Sequence, residues 1–229
     1  SRMGRVLIPA LMEQNCGQFE SWVRFAMRDR GLRCYFADDY MILCVPSPVN
    51  EATESPSRVR IRFLDVHAGV SVTGEAQQDG IAHYLIGDDP RRWVRDVSTF
   101  QGITYRGLWD GIDLVCRVEG GQLKREWIVA AGADPSRIQM AYSGALRVTA
   151  DTEGGLLIDV PEGRIAEGAL RVYQEIEGRT VPIPGAWVVR PEEDAWRVCV
   201  EIGPYDRTMP LIVDPVIASS TYLGGRSWE

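Results

Sequence analysis

Tyr105-Arg-Gly-Leu-Trp-Asp-Gly-Ile-Asp-Leu-Val-Cys-Arg-Val-Glu-Gly-Gly-Gln-Leu-Lys-Arg-Glu-Trp-Ile-Val129 decides the fold class of this 229-residue chain. The Asp110-Gly111 turn feeds a run from Ile112 to Val118, Glu119-Gly120-Gly121 reverses it, and Gln122 to Ala130 runs back. Two short strand-like runs around a Gly-Gly turn form a hairpin signature, because glycine tolerates the positive φ that tight turns demand. Ile112, Leu114 and Cys116 fall on one face of the first run, Asp113 and Arg117 on the other. A period of two is the pattern of a half-buried antiparallel sheet. Ile112, Leu114, Trp127 and Val129 are therefore expected in the core.

The same grammar extends in both directions. Trp22 to Arg28 sets Val23, Phe25 and Met27 against Trp22, Arg24, Ala26 and Arg28. Leu32–Phe36 and Tyr40–Val45 flank Ala37-Asp38-Asp39 as a second hairpin. Pro46 to Ser57 reads as an exposed loop. In Arg58 to Leu64, Val59, Ile61 and Phe63 point one way and Arg58, Arg60 and Arg62 the other. That arginine row is either a solvated sheet face or an anion contact. Val70–Gln77 and Ile81–Ile86 read as two further strands, followed by the turn Gly87 to Trp93. Beyond the central hairpin, short strands are expected over Ile138–Tyr142, Ala145–Ala150, Leu156–Val160, Leu170–Ile176, Thr180–Val189 and Trp196–Ile202. Pro182 and Pro184 make the fifth of these an edge strand or a bulged one. No segment predicts a helix of three turns.

The expected fold class is all-β, with antiparallel, sandwich-like sheets and little helix. The sheets form one domain or two packed subdomains. In the second case the division is 5–100, then 101–217 built on the 105–130 hairpin, then a tail over 218–229.

Lys plus Arg number 25 and Asp plus Glu 32, a net charge of −7. Such a balance repels phosphate backbones, so nucleic acid is not an expected partner. No apolar run approaches the roughly 18 residues that a membrane span needs. Ser1-Arg2-Met3-Gly4 shows no signal peptide. The cysteines, Cys16, Cys34, Cys44, Cys116 and Cys199, are odd in number and lack Cys-x-x-Cys spacing, which predicts free thiols. The alternative is one disulfide joining Cys34 to Cys44.

For chemistry, the acidic turns at Asp88 and Asp89, Asp110 and Asp113, and Asp151 and Glu153 offer carboxylates to calcium. They do so without the spacing of an EF-hand, and turns favour Asp on steric grounds alone. No Gly-x-Ser-x-Gly elbow is present, and His67 and His83 are the only imidazoles. No other cofactor is expected. Trp93, Trp109, Trp187 and Trp228 lie near turns, where an exposed indole stacks on a sugar or anchors a partner and a buried one fills the core.

Laid out in order, Asn15-Cys16-Gly17-Gln18, Gly87-Asp88-Asp89-Pro90 with Trp93, Asp110-Gly111-Ile112-Asp113-Leu114, Gly132-Ala133-Asp134-Pro135, Tyr173-Gln174, Asp214-Pro215 and Ser220-Thr221-Tyr222-Leu223-Gly224-Gly225 carry a resemblance. The chain resembles the uncharacterised N-terminal domain that precedes the repeats in bacterial β-propeller repeat (SBBP) proteins. The resemblance implies an all-β module ahead of a propeller on the same polypeptide, in a secreted or surface-associated protein, with no catalytic residues. Residues 218–229 then read as the opening strand of a propeller repeat. Three functions follow as expectations: a non-catalytic interaction module, a carbohydrate-binding sandwich using exposed aromatics, or a hydrolase with a carboxylate pair.

Overall fold

A computed structural model describes residues 11–28, 32–45, 56–85, 87–120 and 122–218. The alternation read above becomes strands β1 (Met12–Gln14), β2 (Phe25–Arg28), β3 (Arg33–Phe36), β4 (Tyr40–Val45) and β5 (Ser57–Phe63). A long ribbon follows, β6 (Ser71–Tyr84) against β7 (Val94–Trp109), and then the central hairpin, β8 (Ile112–Glu119) and β9 (Gln122–Val129). The remainder is β10 (Gln139–Ser143), β11 (Arg147–Ala150), β12 (Leu156–Val160), β13 (Gly163–Glu167), β14 (Arg171–Ile176), β15 (Arg179–Ile183), β16 (Gly185–Pro191), β17 (Trp196–Ile202), β18 (Leu211–Asp214) and β19 (Val216–Ala218). Helix among the described residues is limited to two single 3-10 turns, Pro90–Arg92 and Pro135–Arg137.

All pairings are antiparallel. One layer runs β16–β17–β10–β5–β4–β3–β2, and β1 turns the corner by pairing with both β2 and β7. The second layer runs β7–β8–β9, where it forks. The C-terminal half of β9 pairs with β18, which continues to β14 and β15; its N-terminal half pairs with β19, which continues to β13, β12 and β11. The network branches but never returns on itself, so it is an open sandwich and not a barrel.

The two layers face each other over one apolar core. Phe63 meets the Tyr105 ring edge-on at 5.5 Å, and Trp127 meets Trp187 at 6.2 Å. Ile112, Leu114, Trp127 and Val129 are all buried, as the hairpin reading expects. The boundary expected at residue 100 falls inside β7, and β5 pairs with β10 across it, Phe63 opposite Met140. Both halves therefore contribute to the same core cluster. The two strands expected over Val70–Gln77 and Ile81–Ile86 are one strand, β6, bulged between Gln78 and Ile81. Pro184 splits the run Thr180–Val189 into β15 and β16. β15, which holds Pro182, pairs only with β14 among the described residues, as an edge strand must.

All five cysteines are free. Cys34 stands opposite Leu43 while Cys44 stands opposite Arg33, so the two thiols lie on opposite faces of the sheet and no bridge can join them.

A fully buried ion pair interrupts the apolar interior. Arg125 holds an inward position of β9 between Leu123 and Trp127 and is fully buried. Its Nη2 donates to Glu167 Oε2 at 2.5 Å and to the Tyr142 hydroxyl at 3.2 Å, and that hydroxyl donates to Glu167 Oε1 at 3.1 Å. Nη1 rests against the sulfurs of Met41 and Met140 at 4.0 and 3.9 Å. Arg125 Nε has no partner. The ion pair links β9 to β13, and Tyr142 on the facing layer closes the triangle.

Candidate functional site

The outer face of β2–β3–β4–β5 is built by the residues that alternate away from the core. Register places Ala26, Tyr35, Ile42 and Arg60 in one row across the sheet, and Arg28, Arg33, Cys44 and Arg58 in the next. Arg62 stands opposite Tyr40. Above this face lies the loop from Asn15 to Val23. Its shape is fixed by the Asn15 side chain, which donates to Glu20 O and Val23 O at 2.9 and 2.8 Å and accepts from Gly17 N–H and Phe19 N–H at 3.0 and 3.2 Å. Gly17 takes a φ of 109°, a conformation that favours glycine. Gln18 adds a second clasp, accepting from Cys16 N–H and donating to Gln14 O. The Asn15-Cys16-Gly17-Gln18 stretch is thus the frame that holds Phe19, Glu20 and Trp22 over the sheet.

Between loop and sheet lies a groove of about 280 Å³, lined by Gln18, Phe19, Glu20, Trp22, Val23, Tyr35, Ile42, Cys44 and Arg58. Phe19 and Trp22 both pack edge-on to Tyr35, at 5.8 and 6.3 Å. The Trp22 indole N–H donates to Glu20 Oε2 at 2.8 Å. Guanidinium groups stack on the same aromatic cluster: Arg60 over Tyr40 at 4.7 Å, and Arg28 over Phe19 at 4.9 Å and Tyr84 at 5.3 Å. The Tyr84 hydroxyl donates to Glu13, and burial together with that carboxylate raises its pKa above the ordinary tyrosine range. Arg24 is neutralised by Asp38 at 2.8 Å; the hydrogen bond from Arg24 holds this carboxyl below its usual range. Arg28, Arg33, Arg58, Arg60 and Arg62 form no ion pair among the described residues.

A second cleft, of about 540 Å³, lies between Asp65–Ala68, the Asp110 turn and the Gly132–Asp134 turn, with Arg137 at its side. His67 Nδ1 accepts from Gly69 N–H at 3.1 Å, and its Nε2 lies 3.9 Å from Asp110 Oδ1. No hydroxyl, thiol or amine lines this cleft. Among the described residues the one carboxyl with a raised pKa is elsewhere, at Asp214 on β18. Burial lifts its pKa although Lys124 Nζ lies 3.1 Å away.

The indoles and acids picked out in the sequence are dispersed. Trp109 is 2% exposed and donates to Leu64 O at 2.6 Å; Trp187 is 5% exposed and faces Trp127. Burial removes both from the set of indoles open to a ligand. Trp93 is half-buried, donates to Gly87 O at 2.9 Å and lies under Arg95. Asp89 caps the 3-10 turn, accepting from Arg91 N–H at 3.1 Å, and Asp88 is exposed beside it. Trp228 and the 218–229 tail fall outside the described residues, apart from Ala218, which ends β19. The acids at Asp113 and Asp151 also hold backbone amides, of Gly107 and of Glu153 and Gly155. Among the described residues no cluster of His, Cys, Asp and Glu is arranged to hold a metal ion.

Trp22 and Tyr35 were not singled out in the sequence. The signal was present: Trp22 belongs to the polar half of the Trp22–Arg28 alternation, and an indole there must face outward.

No curated protein and no solved structure matches the chain. Residues 12–216 match the family described as Domain of unknown function (DUF7948). That match takes in the Asn15 loop, the whole sandwich core and both layers, and the chain belongs to this family.

Proposed function

We propose that the domain is a non-catalytic interaction module whose contact surface is the outer face of β2–β5, and that it precedes a β-propeller in an exported or surface-associated bacterial protein. The first part rests on one observation: a preformed groove walled by Phe19, Trp22 and Tyr35 beside a row of arginines without partners among the described residues. Binding sites are concave and mostly apolar, with a few polar groups that fix orientation, and this groove has that composition. The ordered run of turn motifs from Asn15 to Gly225 supports the second part. A glycan is favoured over a hydrolysed substrate because the groove offers stacking surfaces and only one carboxylate, Glu20, whereas glycosidic hydrolysis takes two.

Native affinity electrophoresis in gels carrying soluble polysaccharides tests this reading. The domain is expected to be retarded, and Trp22→Ala and Tyr35→Ala to abolish retardation while leaving the melting temperature within a few degrees. Retardation that survives both substitutions sinks the reading.

A further inference from the structure

Resting on the binding-module reading, we propose that the groove and the arginine rows beside it form one site for an acidic polysaccharide, a sugar chain bearing carboxylates. Charge is the first support. The chain carries a net charge of −7, yet five arginines without ion partners among the described residues share one sheet face. Arg28 and Arg33 stand directly opposite each other, and like charges in that position repel. Arg58, Arg60 and Arg62 recur every second residue along β5, about 6.5–7 Å apart. A row of guanidinium forks at that spacing matches carboxylates carried along an extended chain.

Groove chemistry selects a sugar over other polyanions. Glu20 stands at the groove, accepting the Trp22 N–H through one oxygen. A carboxylate there repels any anion set in the groove itself, but its second oxygen accepts from a hydroxyl, so the groove suits a sugar ring while the ligand's carboxylates lie along the arginine row. Trp22 and Tyr35 offer apolar ring surface to the C–H face of a pyranose, and Arg58 joins groove to arginine row. Among the described residues the acids nearest the row are engaged elsewhere. Glu13 is engaged by Tyr84, Asp38 by Arg24, and Asp39 is half-buried in the turn.

The test is isothermal titration of the full chain with polygalacturonate, hyaluronate, dextran, poly-glutamate and a single-stranded oligonucleotide. It is repeated at raised salt and with the variants Trp22→Ala and Arg58→Ser/Arg60→Ser/Arg62→Ser. All three arginines are exposed, and circular dichroism confirms that the triple variant folds. The expected result is binding of a uronate polymer, weakened by salt, and weakened about tenfold for each arginine engaged. Dextran binding as tightly as the uronates, unchanged in the triple variant, overturns the acidic-ligand inference and leaves the binding module standing. Poly-glutamate or the oligonucleotide binding more tightly than either uronate overturns the choice of a sugar. No binding by any polymer overturns both readings.

Discussion

Arg125 occupies a position where the alternation of β9 calls for an apolar side chain, since Leu123, Trp127 and Val129 share its face and are buried. Its charge is compensated by Glu167 and oriented by Tyr142. Removing one member of a buried pair strands the other, so Arg125→Met is expected to cost about 3–5 kcal/mol in urea unfolding. The double variant Arg125→Met/Glu167→Leu should recover most of that loss. Trp127→Ala, in the same wall, is expected to cost about 3–5 kcal/mol through the cavity it leaves. The buried thiols give a pH signature. Burial pushes Cys116 up to about 12 from an ordinary 9.0 and raises Cys34 in the same direction. Between pH 9 and 12 the unfolded chain has released protons that the native chain retains, so stability should fall as pH rises through that window. Cys116→Ala should flatten the decline in urea midpoints measured across it. The sequence discloses that Arg125 faces inward, because alternation alone requires it. It does not disclose the partner, because Glu167 lies on a short strand with no apolar run to announce it.

At the scale of the element, the face with Phe19, Trp22, Tyr35 and the arginines is a product of register. The outward alternations of Trp22–Arg28 and Arg58–Arg62 are both legible in the sequence. That they share one surface is not, because β3 and β4 bring them together and no local pattern encodes that pairing. The long β7 was hidden for another reason. Its pattern is interrupted by Asp96, at a φ of 55°, and by Gly102 and Gly107, so no strand is read over it in the sequence. The turn after β10 locks β5 in place. Gly144 has a φ of 82°, and a Cβ there would lie 2.2 Å from Arg58 O. Gly144→Ala is therefore expected to cost about 2 kcal/mol or more, from left-handed strain plus the clash. Thermal melts of this variant beside Gly178→Ala, whose φ is 74° but which has open space around it, separate the two contributions.

For the whole molecule, the all-β class was readable from period-two alternation punctuated by Gly, Pro and Asp, whereas the fusion of both halves into one core was not. It depends on β5 meeting β10, a pairing between segments far apart in the chain. A single cooperative transition is therefore expected, with fluorescence and circular dichroism midpoints coinciding. Residues 5–100 and 101–217 expressed separately should each lack a cooperative melt; a sharp melt from either piece would count against one shared core. The pairing of β9 with β18 also governs the order of events during synthesis. A ribosome adds about 5–20 residues per second, and β18 follows every other described strand of the domain except β19. Until Leu211 and Val213 emerge, Trp127 and Val129 pair with β8 alone, and the fork that also seats β14 cannot form. The domain stays open and protease-sensitive until β18 has emerged, and it closes in that one step.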